Sequence, residues 1–100
     1  AYRHLSMAFE RRKVQKVYHA VSEGIHNFEA QEATFPILKL SKKGMVTIDF
    51  KEGMKSHTTF QTLRHIGNFT LIEARPHTGR MHQIRIHLKA LKAPIVALYV

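Results

Sequence analysis

Two runs of β-forming residues meet at Gly67-Asn68, and a proline closes the second of them. His57 to Ile66 and Phe69 to Arg75 carry Thr, Phe, Leu and Ile at strand-like density. The two residues between them accept positive φ, as a primed two-residue turn requires. The pattern predicts an antiparallel hairpin. Pro76 has no N–H to give to a ladder and stops the second strand. Beyond it, Met81 to Lys92 reads as a helix, with Ile84, Leu88 and Leu91 at i, i+4 and i+7 forming a stripe to bury. Thr78 is expected to cap this helix, and Pro94 lies just past its end.

The rest of the chain is organised around this unit. Residues 3–12 mix apolar side chains with Arg11-Arg12 and read as a short helix with cations in its last turn. Val14 to Val21 is a strand that Gly24 ends. Val14, Lys16, Tyr18 and Ala20 share one of its faces, and Gln15, Val17, His19 and Val21 the other. Residues 25–34 are polar and read as a loop. Phe35 to Leu40 is a short strand with Pro36 near its start, which suits a sheet edge. Ser41 to Gly44 turns, Met45 to Phe50 alternates with Val46, Ile48 and Phe50 on one face, and Glu52-Gly53 turns again. Ile95 to Val100 begins a further apolar strand. The expected class is α+β: a mainly antiparallel or mixed sheet with flanking helices, in one domain or part of one.

Charge narrows the function. Sixteen Lys and Arg stand against seven acids, a net +9 with histidines neutral. The last acid is Glu73, and from Arg75 onward come Arg75, Arg80, Arg85, Lys89 and Lys92 with three histidines. Such a surface suits phosphate, through counterion release, or serves solubility. There is no cysteine, which removes disulfides and thiolate metal sites and fits a reducing, cytoplasmic setting. No apolar run approaches the roughly 20 residues needed to cross a bilayer. The chain opens on Ala1 without a leader pattern and reads as a fragment or a processed chain.

Two stretches carry candidate chemistry. Arg75 to Leu88 is a strand end, a glycine turn and a helix start loaded with cations. A helix start offers unpaired N–H groups, and Thr78, Gly79 and Arg80 are placed to surround an anion. His82, Arg85 and Lys89, at i, i+3 and i+7, make the face opposite the apolar stripe cationic. An ordinary amphipathic helix with a solvated basic face gives the same pattern. His77, His82 and His87 are spaced by five, which turns successive side chains about 140° apart, so a shared metal is not expected. In the other stretch Lys16 and Tyr18 lie on one strand face, roughly 6.7 Å apart. A tyrosine beside a cation stacks on a flipped base while the cation holds phosphate. A tyrosine at the edge of the core with a snorkelling lysine is the alternative.

Together these stretches resemble the RluA-type family of RNA pseudouridine synthases. That family shows F-x-x-R-x-V-x-K-x-Y-x-A-x-V-x-G, and this chain has Phe9, Arg12, Val14, Lys16, Tyr18, Ala20, Val21 and Gly24, with Val21 shifted by one position. It also shows T-G-R-x-H-Q-I-R-x-H-L, matched by Thr78-Gly79-Arg80, His82-Gln83-Ile84-Arg85 and His87-Leu88. Pro36-Ile37 and the Thr58–Ile72 hairpin fall where the family has its middle strands. The resemblance covers essentially the whole chain. One departure follows Pro94-Ile95, where the family has an Asp before a Tyr and this chain has Val96-Ala97-Leu98-Tyr99.

The resemblance implies a cofactor-free isomerisation of uridine in ribosomal or transfer RNA. It implies Tyr18 as the tyrosine that stacks on the target base and Arg85 as the arginine that pairs with a catalytic aspartate. Lys16, Arg80, His82, Gln83 and Lys89 are expected on the RNA side. The family's aspartate sits in an R-L-D-x-x-T-S-G motif about 30 residues before that tyrosine, which is not in this sequence. The single aspartate here is Asp49, which matches no family motif. The chain by itself is therefore expected to be inactive. A non-catalytic RNA-binding module and an idle remnant are the competing readings. Strand edges left open are expected to favour a homo-oligomer.

Overall fold

The computed structural model describes residues 16–40 and 44–99. The expected helix at 3–12, the motif positions Phe9, Arg12 and Val14, most of the Ser41–Gly44 turn and Val100 lie outside the described residues. The strands are β1 (Tyr18–Glu23), β2 (Gln31–Ala33), β3 (Ile37–Lys39), β4 (Val46–Ile48), β5 (Thr58–Ile66), β6 (Phe69–Pro76) and β7 (Ile95–Tyr99), with one helix, α1 (Gln83–Ala90). Five strands form a sheet in the order β2-β5-β6-β1-β7, and β3 and β4 form a small separate hairpin. Every pairing in both sheets is antiparallel.

The β5–β6 hairpin forms as its turn residues dictate. Ile66 faces Phe69 across Gly67-Asn68, and Gly67 has φ +58, which glycine adopts without Cβ strain. A bulge between Thr62 and Arg64 shifts the register, so alternation breaks there and Leu63 is left exposed. Up to the bulge the alternation is regular. Thr58 and Phe60 on β5, Thr70, Ile72 and Ala74 on β6, and Ala20 and Ser22 on β1 are buried on one face. Ile84 and Leu88 of α1 close that face, with Tyr18, Phe28, Phe35, Leu91, Ile95 and Leu98 packed around it.

Residues 25–34 are more ordered than their polarity suggests, and β2 lies inside them. Two threonine hydroxyls hold the segment to the sheet. Thr70 Oγ1 accepts from His26 N–H and donates to Gly24 O. Thr62 Oγ1 accepts from Phe28 N–H and donates to His26 O. These long-range bonds replace a hydrophobic pattern, which is why a three-residue edge strand with Gln31 and Glu32 exposed left no periodic signal.

Helix α1 is shorter than expected at both ends. His82 precedes it at φ +55, so Met81 and His82 form a turn and not a first helical turn. At the other end Lys92 N–H donates to Lys89 O and Ala93 N–H to Leu88 O, with Lys92 at φ +64. That pairing is a Schellman ending, and it stops the helix before Pro94 is reached. Among the described residues no helix is long and apolar enough to cross a membrane.

Candidate functional site

Strand register gathers the expected site residues at one end of the five-stranded sheet. Tyr18, at the start of β1, lies opposite Ala74 near the end of β6. Pro76 lies opposite Thr58 at the start of β5, and Thr58 opposite Ala33 at the end of β2. His19 lies opposite Tyr99 at the end of β7. The Thr78–His82 loop leaves β6 at this end and feeds α1. Tyr18 and the cationic loop are thus brought to the same end, although 60 positions separate Tyr18 from Thr78.

Tyr18 is half-buried against the core cluster and Lys16 before it is exposed. On α1 the predicted division of faces holds. Arg85 and Lys89 are exposed, as is His82 just before the helix, while Gln83, Ile84, His87 and Leu88 are buried. Among the described residues no carboxylate lies within ion-pairing distance of Arg85. Arg80 is half-exposed, and its Nε donates to Lys55 O at 3.0 Å, which ties the side chain to the segment before β5.

Two expectations about this loop are corrected. Thr78 does not cap α1, and no side chain does. Its hydroxyl instead accepts from His57 N–H at 3.0 Å and donates to Gln83 Oε1 at 2.6 Å. The Arg80 N–H, expected to face an anion, donates to Gln83 Oε1 at 3.1 Å. The physical reason is the amide of Gln83, 4% exposed, which offers a buried acceptor closer than solvent.

The same amide begins a network that sequence reasoning missed. Gln83 Nε2 donates to His57 O at 2.9 Å and to Thr58 Oγ1 at 2.8 Å. Thr58 Oγ1 is 2.9 Å from His87 Nδ1, and His87 Nε2 is 2.8 Å from Phe35 O. A carbonyl only accepts, so Nε2 carries the proton, Nδ1 accepts from the Thr58 hydroxyl, and His87 is neutral. Every donor and acceptor then has one consistent direction, from the Thr78–Arg80 loop through Gln83, Thr58 and His87 to Phe35. The signal in the sequence was Gln83 and His87 at i and i+4, on the buried side of the helix.

Burial holds the His87 imidazole below its ordinary value of 6.5, and the charge of His57 adds to this against the opposing bond to Phe35 O. A histidine whose folded pKa is depressed stabilises the fold fully above the unfolded value. That contribution is lost as pH falls from about 6.5 toward the folded value. His87→Gln, which does not titrate, is therefore expected to lose less stability than wild type between pH 8 and pH 5.5 in urea unfolding. Equal losses in the two proteins would contradict this assignment.

Asp49 follows the end of β4 and opens the turn after it, so the strand is shorter than the expected Met45–Phe50. Its Oδ1 accepts from Lys51 N–H at 2.8 Å and Glu52 N–H at 3.0 Å, and these bonds lower its pKa. Gly53 closes the turn in direct contact with the Asp49 carbonyl and the Pro36 backbone, where a Cβ has no room.

The profile of the family described as "RNA pseudouridylate synthase" matches residues 1–90. Among curated proteins, the chain is 37% identical over 95 residues to "Ribosomal large subunit pseudouridine synthase C" of Vibrio cholerae, covering 95% of this chain and 30% of that protein. It is 32% identical over 96 residues to "Ribosomal large subunit pseudouridine synthase D" of Borreliella burgdorferi, covering 94% and 29%. The chain thus spans about a third of the length of these relatives. Among solved structures, "Human RNA Pseudouridylate Synthase Domain Containing 1" superposes with a TM-score of 0.70 at 29% identity, over 91% of this chain and 42% of that one.

Proposed function

Since the chain belongs to the RNA pseudouridylate synthase family, we propose that it supplies the base-stacking and arginine half of a uridine isomerase whose aspartate comes from a segment outside these residues. The observation that supports this most is that Tyr18 lies at the end of the sheet from which the Thr78–His82 loop leaves β6 to feed the helix of Arg85. Tyr18 offers a ring face to the target uracil. Arg85 is the partner for the incoming carboxylate, which needs a paired cation to stay ionised beside a base. The reaction breaks the N1–C1′ bond, turns the uracil and joins C5 to C1′. C5 gives up a proton as N1 gains one, so no redox cofactor is required.

RNA, ribosomal or transfer, is the substrate in this reading. Lys16, Arg80, His82 and Lys89 meet its phosphates, and the net charge of +9 draws it in. Gln83, with its amide spent on the loop, enters as the residue that shapes this surface.

Asp49 favours a second reading for the chain by itself. The sole aspartate is spent on its own turn, so these 100 residues act as an RNA-binding module. The chain alone, incubated with unmodified ribosomal and transfer RNA, is expected to bind in a salt-dependent way and to form no pseudouridine. Pseudouridine from the chain alone, or no RNA affinity at low salt, would overturn the proposal.

The sheet ends on β2 and β7, each paired on one side only among the described strands. β7 is the apolar edge, with Val96 and Tyr99 more than half exposed. Pairing between copies through this edge is expected to give a dimer or larger assembly. Light scattering that shows a clean monomer at high concentration would count against it.

A further inference from the structure

The His57 and His77 rings pack against each other, tilted, just beyond the paired ends of β5 and β6. Their ring centroids are 4.3 Å apart with a 35° tilt. Both rings are anchored. His57 Nε2 bonds Glu32 Oε1 at 3.0 Å, and His77 Nε2 bonds Thr59 Oγ1 at 2.9 Å. Their backbones are tied as well, with His77 N–H donating to His57 O and His57 N–H to Thr78 Oγ1. Glu32 and Thr59 pair across β2 and β5 and alternate with the buried Ala33 and Thr58. The histidine pair therefore lies on the face of the sheet away from α1, around the end from Tyr18. His77 is exposed, and the His57 side chain is 37% exposed.

Cations sit beside the pair. Lys55 is exposed two positions before His57, and its carbonyl holds the Arg80 side chain. Of the acids on this face, Glu32 bonds His57 and Glu73 bonds Arg75, while Glu23 lies at the far end of β1, opposite Phe69. Among the described residues neither Lys55 nor Arg80 pairs with a carboxylate, and a fixed ring face beside such cations is the arrangement that binds a single-stranded base and its phosphate. We propose that the His57–His77 pair, with Lys55 and Arg80, is a stacking subsite for a nucleotide flanking the target uridine in single-stranded RNA.

This inference rests on the RNA reading above and extends it. A strand leaving Tyr18 and turning around the end of the sheet passes Arg80 before it reaches the histidines. Because the rings are held before RNA arrives, little ordering cost falls on binding.

The test uses this chain and a short single-stranded RNA with one uridine and 2-aminopurine placed in turn at each flanking position. Anisotropy measures affinity and 2-aminopurine quenching reports stacking. At one flanking position quenching is expected with wild type and with His77→Phe, which keeps a ring. His57→Ala and His77→Ala are expected to lose the quenching and to weaken binding about fivefold or more. With an abasic spacer at that position, wild type and His77→Ala should bind equally. Circular dichroism verifies that the variants are folded, and His77→Phe guards against a loop that collapses without its rings. RNA bound equally well by all four proteins, with no quenching that the alanine variants lose, overturns the subsite and leaves the RNA reading standing. RNA bound by none of them overturns both.

Discussion

Joined to an upstream segment that carries the family's R-L-D-x-x-T-S-G aspartate, the chain is expected to form pseudouridine, and Arg85→Ala is expected to lower that activity at least about 100-fold. The effect is electrostatic. A carboxylate brought beside an uncharged base in a dry pocket tends to take a proton, and a guanidinium opposite it keeps it ionised. Arg85 reaches outward from α1 with no carboxylate partner among the described residues. Arg85→Lys keeps the charge but not the planar fork, so it should fall between wild type and Arg85→Ala. Tyr18 separates stacking from hydroxyl chemistry. Tyr18→Phe keeps the ring and Tyr18→Ala removes both, so the gap between them measures the stacking alone. Wild-type rates in Arg85→Ala would remove that residue from the reaction.

The second large effect concerns stability. Gln83→Met, close in volume, is expected to destabilise the fold by about 3 kcal/mol. The substitution leaves the Arg80 N–H without a partner and the Thr78 hydroxyl without its acceptor, takes the donor from the Thr58 hydroxyl, and leaves the His57 carbonyl with the His77 N–H alone. Each buried group left unsatisfied costs about 1–3 kcal/mol, and some recover water at the loop, which keeps the sum below the simple total. Against a stability of roughly 5–15 kcal/mol for a domain, this is a large share. Urea unfolding should show a lower midpoint with little change in slope. An unchanged midpoint would mean that the network contributes little to folding.

Much of this was legible in the residues. Gly67-Asn68 set the hairpin register, the Ile84–Leu88 stripe set the helix face, and the apolar run after Pro94 marked β7. What escaped had a common physical character. The segment from Gly24 to Phe28 that leads into β2 is held by threonine hydroxyls 34 to 46 positions away, and hydroxyl bonding has no period. Helix α1 lost its first turn because His82 takes a left-handed conformation that a non-glycine residue seldom adopts. At the site, the residue types were visible but their division of labour was not. Gln83 looked like a contact residue from its motif, and only its burial shows that its amide faces inward. His57 and His77 are 20 positions apart in sequence and read only as a strand residue and a possible ligand, with nothing to pair their rings.

The strand order carries a consequence for how the chain is made. β1 emerges from the ribosome before the other described strands, yet both its neighbours in the sheet come late: Tyr18 waits for Ala74, and Ser22 for Ile95. The β5–β6 hairpin can close as soon as it is synthesised, β1 can then dock against β6, and β7 adds to the other edge of β1 last. Synthesis that stalls before Ile95 leaves β1 with one edge unfilled, and a nascent chain in that state is a substrate for chaperones.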